Sequence, residues 1–448
     1  MKGKNYGVGC PGGVEVVSHS LRDVLKRHAG SDLALLKIDF QNAFNQVDRN
    51  AFVKSTCSTL PGLSNWTEWC YSRPSVLLYA HEHILWSSAG VQQGDPLGPL
   101  YFCFGLAPLV SVIQSLGPVY NKWYMDDGGI VASVETLKRA WAILESEGPP
   151  LGLVLSKKKC EWSWLDPKRT EACPIPGVSL VPTDEICMLG VPLGSAAKSA
   201  EFVQKKLFSR LSTAVERLQE FEDSQSAFFL LRVSFSIVRA VHFMRTTPLV
   251  HWSEQAEQFD SLIRRATEQI LGFTLDEAAY VQACLTPSLG GLGLRRTTVH
   301  ADAAFQASWR EAKSESGENW ILPDFKDSFH GSQKQASYRI DEEIHKKLVA
   351  RAESPRERQR LLRLTEPHAG AWVTAVPSNE DGFDTVMAPK VFRVAVAYRL
   401  GVQVVPLGIS CPRCMQTIDV LGDHASCCEE RGSHRETPPH SEPSWEVL

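Results

Sequence analysis

The alternation of apolar and polar positions over residues 1–195 predicts a mixed α+β domain: three apolar stretches each run into polar residues at a turn, and segments of helical spacing lie between them. The first stretch, Leu33 to Phe40, reads as a strand followed by a helix. The second, Val76 to Leu85, reads as one strand ending near the glycine-rich turn Gly90 to Gly98. The apolar segment Leu100 to Leu116 behind it has helical length and closes at Gly117. The third is a hairpin, in which Trp123, Tyr124 and Met125 enter, Asp126 to Gly129 supply the turn, and Ile130, Val131 and Ala132 leave.

From Phe202 the spacing changes. Phe202, Leu207, Leu211, Val215 and Leu218 recur at steps of three to five and predict one amphipathic helix. Two more helices are expected, Ala227 to Thr246 ended by Pro248 and Ser253 to Leu271 ended by Gly272, so residues 200–285 read as a helical bundle. Residues 312–390 are rich in charge, Ser, Gly and Pro and predict loosely packed or connecting structure with short helices such as Asp341 to Arg351. The tail after Glu429 reads as disordered.

At 448 residues the chain exceeds what one hydrophobic core organises, and 43% hydrophobic content fits folded protein. Its formal charge of -4 means that a polyanion must be met by local basic groups or bound metal. No apolar run approaches the ~20 residues of a bilayer span, since Arg232 and Arg239 interrupt the best candidate, Ala227 to Val241. Met1 to Gly13 lack the basic start and apolar stretch of a signal peptide, which predicts an intracellular protein of nucleus or cytoplasm, not secreted. Of twelve cysteines, eight show no framework spacing and read as reduced thiols. The other four, Cys411, Cys414, Cys427 and Cys428, surround His424.

Candidate chemistry begins at Asp39. A buried strand that ends in a carboxylate needs a partner for the charge, and a metal is one such partner; a helix N-cap is another. Asp126 and Asp127 place adjacent carboxylates on a hairpin tip, which is costly unless the pair is solvated or holds a divalent cation. Carboxylates on separate strands could bridge two ions, and hard oxygen ligands select magnesium over zinc. Cys411-x2-Cys414-x9-His424-x3-Cys428 has spacings that a zinc site can use, with Cys427 as a substitute for Cys428 and incidental thiols as the plain alternative. No Gly-x4-Gly-Lys-Ser/Thr loop and no Gly-x-Ser-x-Gly elbow occurs, so an ATPase or serine hydrolase has no footing.

Three segments in order, Lys37 to Asn45, Gly90 to Pro99 and Tyr124-Met125-Asp126-Asp127, resemble motifs A, B and C of reverse transcriptases. The likeness is to enzymes of non-LTR (LINE-like) retrotransposons, and it continues through Gly152 to Cys160 as motif D and Leu189 to Gly194 as motif E. It implies a ferredoxin-like palm with partial fingers (residues 1–195), an all-α thumb (196–300), a connecting region of mixed helix and loop (301–405), a zinc-knuckle-like segment (406–430) and a disordered tail (431–448). It also implies RNA-directed DNA synthesis with two Mg2+ ions on Asp39, Asp126 and Asp127, and an RNA template, a DNA primer and deoxynucleoside triphosphates as partners. Lys159 matches the motif D general acid. Phe40, Phe44, Gln93, Gly94 and Tyr124 fall at substrate-binding positions, with Phe44 as the ring that excludes a ribose 2′ hydroxyl. The Leu189 to Gly194 turn resembles a primer grip. Cys411, Cys414, His424 and Cys428 resemble the zinc motif that follows the polymerase in some LINE-like elements, and Ser433-His434-Arg435 resembles a nuclease remnant.

Gly7 to Glu15 resembles the second fingers motif, which leads us to expect a fragment lacking earlier fingers strands and the nuclease. Two rival readings follow: an inactive remnant that only binds nucleic acid, and a zinc-dependent nucleic-acid-binding module with the polymerase part as scaffold.

Overall fold

The computed structural model describes residues 3–79, 83–320, 323, 325, 328–378, 385–424 and 428. The 431–448 tail, Cys427 and the Ser433-His434-Arg435 remnant therefore lie outside the described residues. The chain divides into two compact units: Met1–Ser199 with Arg245–Thr247 and Phe305–Lys326, and Ala200–Met244 with Pro248–Ala304 and Asp327–Leu448.

The first unit is α+β. Its elements are α1 (Gly13–Arg27), β1 (Leu33–Ile38), α2 (Ala43–Gln46), α3 (Arg49–Thr59), α4 (Ser64–Tyr71), β2 (Ser75–Tyr79), β3 (His83–Ser87), α5 (Gly98–Ser115), β4 (Tyr120–Tyr124), β5 (Asp127–Ser133), α6 (Val134–Glu147), β6 (Glu161–Trp164), β7 (Ser179–Leu180), β8 (Cys187–Met188) and β9 (Val191–Pro192). The main sheet runs β4-β5-β1-β6-β7, so β1 is central and antiparallel to both neighbours. Alternate β1 side chains serve two cores, which is why its sequence is apolar almost throughout. Ala34, Leu36 and Ile38 pack with Phe102 and Leu106 of α5 and Trp141 of α6. Leu35 packs with Val17 and Leu21 of α1 and with Tyr120 and Val131.

Two expectations for this unit change. Val76 to Leu85 is not one strand but parts of β2 and β3, paired Val76↔Trp86 and Leu77↔Leu85. The third hairpin turns earlier than its glycines suggest: Tyr124 pairs with Asp127, leaving Met125-Asp126 as the loop and Gly128 and Gly129 within β5. Neighbouring rings fill the glycines' side-chain space, since a Cβ on Gly128 would lie 2.4 Å from the Trp123 ring and one on Gly129 3.1 Å from Tyr120.

The second unit is helical, with α7 (Ala196–Phe208), α8 (Leu211–Arg217), α9 (Ser224–Leu230), α10 (Val241–Thr246), α11 (Ser253–Leu271), α12 (Glu277–Ala283), α13 (Thr297–Ser316), α14 (Gln333–Arg351), α15 (Pro355–Arg363), α16 (Ala371–Thr374) and α17 (Pro389–Leu400). The ends of α7, α10 and α13 fall in the first unit. The helix expected from Phe202 to Leu218 is broken at Ser209 and Arg210, and that from Ala227 to Thr246 is broken at Ser236. There the Ser236 N–H reaches back to the Leu231 carbonyl at 2.8 Å and its hydroxyl donates to Arg232 O at 2.6 Å, replacing the regular helical bonds. α11 ends as expected, with Gly272 at φ 76°.

Part of the 312–390 segment is better packed than its composition suggested, and so is the helix that follows it. Val373, Phe392, Val396 and Leu400 share a core with Phe228, Trp252, Phe259 and Ile263. Their charge is partly internal: buried Asp341 accepts from Arg295 Nε at 2.9 Å and Nη2 at 2.7 Å, and faces His300 Nε2 at 3.3 Å.

By length and apolarity α5 and Ser224–Thr246 pass as possible membrane spans, contrary to the sequence expectation. In this fold α5 buries ten of its residues, Gly98 to Ile113, in the sheet's core, and Ser224–Thr246 is not one helix.

Gly152 tests the close fit of this unit, having φ 73° and no room for a Cβ, which would lie 1.8 Å from Gln46 O. Gly152→Ala should cost more than about 2 kcal/mol in urea unfolding, whereas Gly30→Ala should cost about 1 kcal/mol, because Gly30 shares the left-handed backbone but has nothing within 4 Å.

Candidate active site

Asp39 follows the last residue of β1, and its position is fixed by main-chain bonds to the segment 154–160. Ser156 N–H donates to Asp39 O at 2.8 Å, Gln41 N–H donates to Val154 O at 2.8 Å, and Asp39 N–H points to Cys160 Sγ at 3.5 Å. The β1–β5 register sets Ile38 opposite Gly128, so the next step sets Asp39 opposite Asp127. Asp126 occupies the loop beside it. The structure thus brings together carboxylates 87 and more positions apart in the chain through adjacent strands of one sheet.

Their surroundings disfavour negative charge on two of the three. Burial first, then the charges of Asp126 and Asp39, together raise Asp127 to about 6 against the opposing pull of Lys37 and Lys159. Asp126 is also raised, chiefly by burial and then by Asp39. Asp39 Oδ1 is buried and accepts no hydrogen bond, and Lys159 Nζ stands 3.7 Å from it. Partly buried anions that repel one another and keep lone pairs unfilled suit a divalent ion. The group is looser than a single-ion cage: among the described residues, the only three or more His, Cys, Asp or Glu ligand atoms all within 4.8 Å of one another are those of the C-terminal cluster.

The remaining candidates divide. Gln93 and Gly94 are exposed on the Gly90 to Gly98 turn, and Tyr124 is half-buried. The Phe44 ring stacks on Phe102 at 4.3 Å while staying partly exposed, so it is both core and surface. Phe40 is corrected: its ring is buried and stacked on Trp123 at 6.1 Å, which leaves only its main chain to meet a substrate. Lys159 is exposed, whereas Lys157 is paired with Glu145 at 2.5 Å. The motif E turn is a two-residue loop between β8 and β9, with Leu189 at φ 52° and Gly190 at φ 74°.

Sequence reasoning missed the side chains that hold the Gly90 to Gly98 turn. Buried Arg49 donates to Gly90 O at 3.0 Å and to Ser87 Oγ at 2.9 Å. The Tyr71 hydroxyl donates to Asp95 Oδ2 at 2.5 Å and accepts Gln92 N–H at 3.1 Å. Neither has a periodic signal; both sit where a helical pattern merely meets a turn.

In the second unit Cys411 Sγ lies 3.6 Å from Cys428 Sγ, and Cys414 Sγ lies 3.2 Å from His424 Nε2. Main-chain N–H groups of Cys414 and Arg413 hold the Cys411 thiol down to about 6. Asp419 orders the His424 turn by accepting the N–H groups of Leu421, Asp423 and His424.

Residues 10–193 match the reverse transcriptase (RNA-dependent DNA polymerase) family, the family expected from motifs A to E. The chain is 27% identical over 320 residues to the retrotransposable element SLACS 132 kDa protein of Trypanosoma brucei gambiense, covering 67% of this chain and 26% of that protein. It thus spans about a quarter of the relative's length. Among solved structures it is similar to telomerase from Candida albicans in complex with a TWJ fragment of telomeric RNA (TM-score 0.39, 12% identity, 80% of this chain and 53% of that one). It is likewise similar to telomerase from Candida tropicalis in complex with a TWJ fragment of telomeric RNA (TM-score 0.36, 14% identity, 79% and 52%).

The raised Asp127 sets a pH dependence. Its folded value of about 6 lies above the ordinary 3.8, so its ionised form is disfavoured by the fold, and the stability present below about pH 4 is lost as pH rises through about 6. Asp127→Asn should therefore be more stable than wild type at pH 7.5 by roughly 1–3 kcal/mol in metal-free urea unfolding, with the gap closing at pH 4. Equal stability at both pH values would contradict the assigned burial.

Proposed function

We propose that this chain, whose residues 10–193 belong to the reverse transcriptase family, is the palm and thumb of a retrotransposon RNA-directed DNA polymerase. The observation that carries the proposal is the convergence of Asp39, Asp126 and Asp127 at one end of β1 and β5 in a partly buried, mutually repelling group. Two bound Mg2+ ions supply the charge that makes a primer 3′ hydroxyl a better nucleophile and offsets charge on the leaving pyrophosphate. Asp39 and Asp126 would hold those ions from separate strands, with Asp127 completing the negative field. Lys159 keeps a cation at Asp39 before substrate arrives, and its exposed ammonium can swing to a phosphate and donate its proton there. Gln93 and Gly94 offer a polar edge and open backbone to the nucleotide and template, and the partly exposed Phe44 ring narrows the ribose site.

The helices of the second unit would form the thumb, tracking primer and template through their backbones. The C-terminal cluster fits zinc. Its 3.6 Å sulfur separation is close to the ~3.8 Å that Zn–S bonds of about 2.3 Å impose in a tetrahedron.

Primer extension on an RNA template with Mg2+ and deoxynucleoside triphosphates tests the assignment. Wild type should incorporate nucleotides, and Asp126→Ala should lower the rate by at least about a thousandfold. No incorporation by a folded wild type would favour the inactive nucleic-acid-binding remnant. Metal analysis should find about one zinc per chain, lost in Cys414→Ser with extension by the first unit's carboxylates still measurable. Zinc-free wild type purified without chelator would remove the cluster from the account.

A further inference from the structure

The hairpin that presents Asp126 and Asp127 turns on a residue ill suited to its conformation. Met125 has φ 54° and occupies the first position of a two-residue loop, where glycine ordinarily stands. Its backbone must be held there by its surroundings.

Residues 4–6 supply the hold by running alongside β4. Tyr6 N–H donates to Trp123 O and Trp123 N–H donates to Lys4 O, each at 2.8 Å, and Asn5 forms a parallel bridge with Trp123. This lays the buried Asn5 side chain beside Met125, where one amide meets both main-chain groups. Asn5 Nδ2 donates to Met125 O at 3.1 Å, and Asn5 Oδ1 accepts Met125 N–H at 3.1 Å. The same Oδ1 accepts Gly7 N–H at 3.0 Å, closing the segment over the loop. Gly7 is as near as backbone can come: a Cβ there would lie 2.4 Å from Met125 Cγ and 2.7 Å from Met125 N.

We infer that Asn5 is a positioning residue for the catalytic carboxylates, satisfying both main-chain groups of Met125 and thereby fixing the loop that aims Asp126 and Asp127 at Asp39. The inference rests on the two-metal reading above. An amide suits the task because it carries a donor and an acceptor side by side. Aspartate would offer acceptors only and add charge beside Asp126; alanine would offer neither. Without the clamp Met125 relaxes to negative φ, the Tyr124↔Asp127 closure is lost, and a slip of one residue turns Asp127 to the other face of the sheet.

The experiment compares wild type, Asn5→Ala, Met125→Gly and the double variant, each as the full chain. Mn2+ affinity is read by calorimetry and primer extension is read against Mg2+ concentration. Asn5→Ala should weaken Mn2+ binding and raise the half-saturating Mg2+ by about tenfold or more, leaving the nucleotide KM within about twofold. Met125→Gly, which adopts positive φ unaided, should restore Mn2+ affinity in the Asn5→Ala background to within about threefold of wild type. Unchanged Mn2+ affinity in Asn5→Ala, or no rescue by Met125→Gly, overturns the inference. If Asn5→Ala melts below the assay temperature, Asn5→Asp takes its place and must shift the Mg2+ requirement the same way; an unshifted requirement overturns the inference equally. A wild type that binds Mn2+ but extends no primer sinks the polymerase reading alone, and one that binds no Mn2+ sinks both.

Discussion

Three carboxylates are held near one another at a sheet end where burial already disfavours the charge of Asp126 and Asp127, and most of the first unit can be understood as what makes that tolerable. Raising Asp127 to about 6 leaves it short of full ionisation just below neutral pH without a cation. Nearby positive charge is sparse: Lys37 is shared with Glu161 at 3.2 Å, and Lys159 reaches only Asp39, at 3.7 Å. A fold that wanted merely to be stable would gain by replacing these groups with neutral ones. Asp127 opens β5, Asp39 follows the end of β1 and Asp126 sits in the two-residue loop between β4 and β5, so all three are held at the ends of paired strands.

That hold comes from contacts between the motifs themselves. Motif A is tied to motif D by the bonds from Ser156 and Gln41, and to motif B by Val91 N–H donating to Phe44 O at 2.8 Å, while Gly90 N–H donates to Val47 O just beyond motif A at 3.0 Å. Gly90 has to be glycine for that approach, since a Cβ would lie 2.3 Å from the Asn45 backbone. The motif residues therefore do two kinds of work. Asp39 and Asp126 are chosen for their charge, whereas Gly90 and Gly152 are chosen for the space they leave.

This division explains what could be read in advance. The carboxylates were legible because an anion at the end of an apolar strand breaks a pattern, and α5 and α11 were legible because long periodic segments end at glycines. The clamps were not. Asn5, Arg49 and Tyr71 act through hydrogen bonds to backbone 21 to 120 positions away, and nothing in local spacing marks a side chain that serves a distant turn. Composition also misled over part of residues 312–390, where charge signalled loose structure but Asp341 is internal, accepting twice from Arg295 and facing His300.

The β2–β3 hairpin shows the same logic from the opposite side. Its Val76, Leu77, Leu78, Ile84, Leu85 and Trp86 side chains are all at least 49% exposed, so both faces of the ribbon lack a packed core. Two strands alone bury too little to be stable in water. What fixes the ribbon is polar and sits at its base: Arg49 binds Ser87 Oγ, Gln92 Nε2 donates to Ser75 Oγ at 2.6 Å, and Ser75 pairs with Ser87 across the strands. The anchors are the same residues that shape the Gly90 to Gly98 turn. The hairpin and the turn therefore share their anchors, Arg49 and Gln92, next to Gln93 and Gly94.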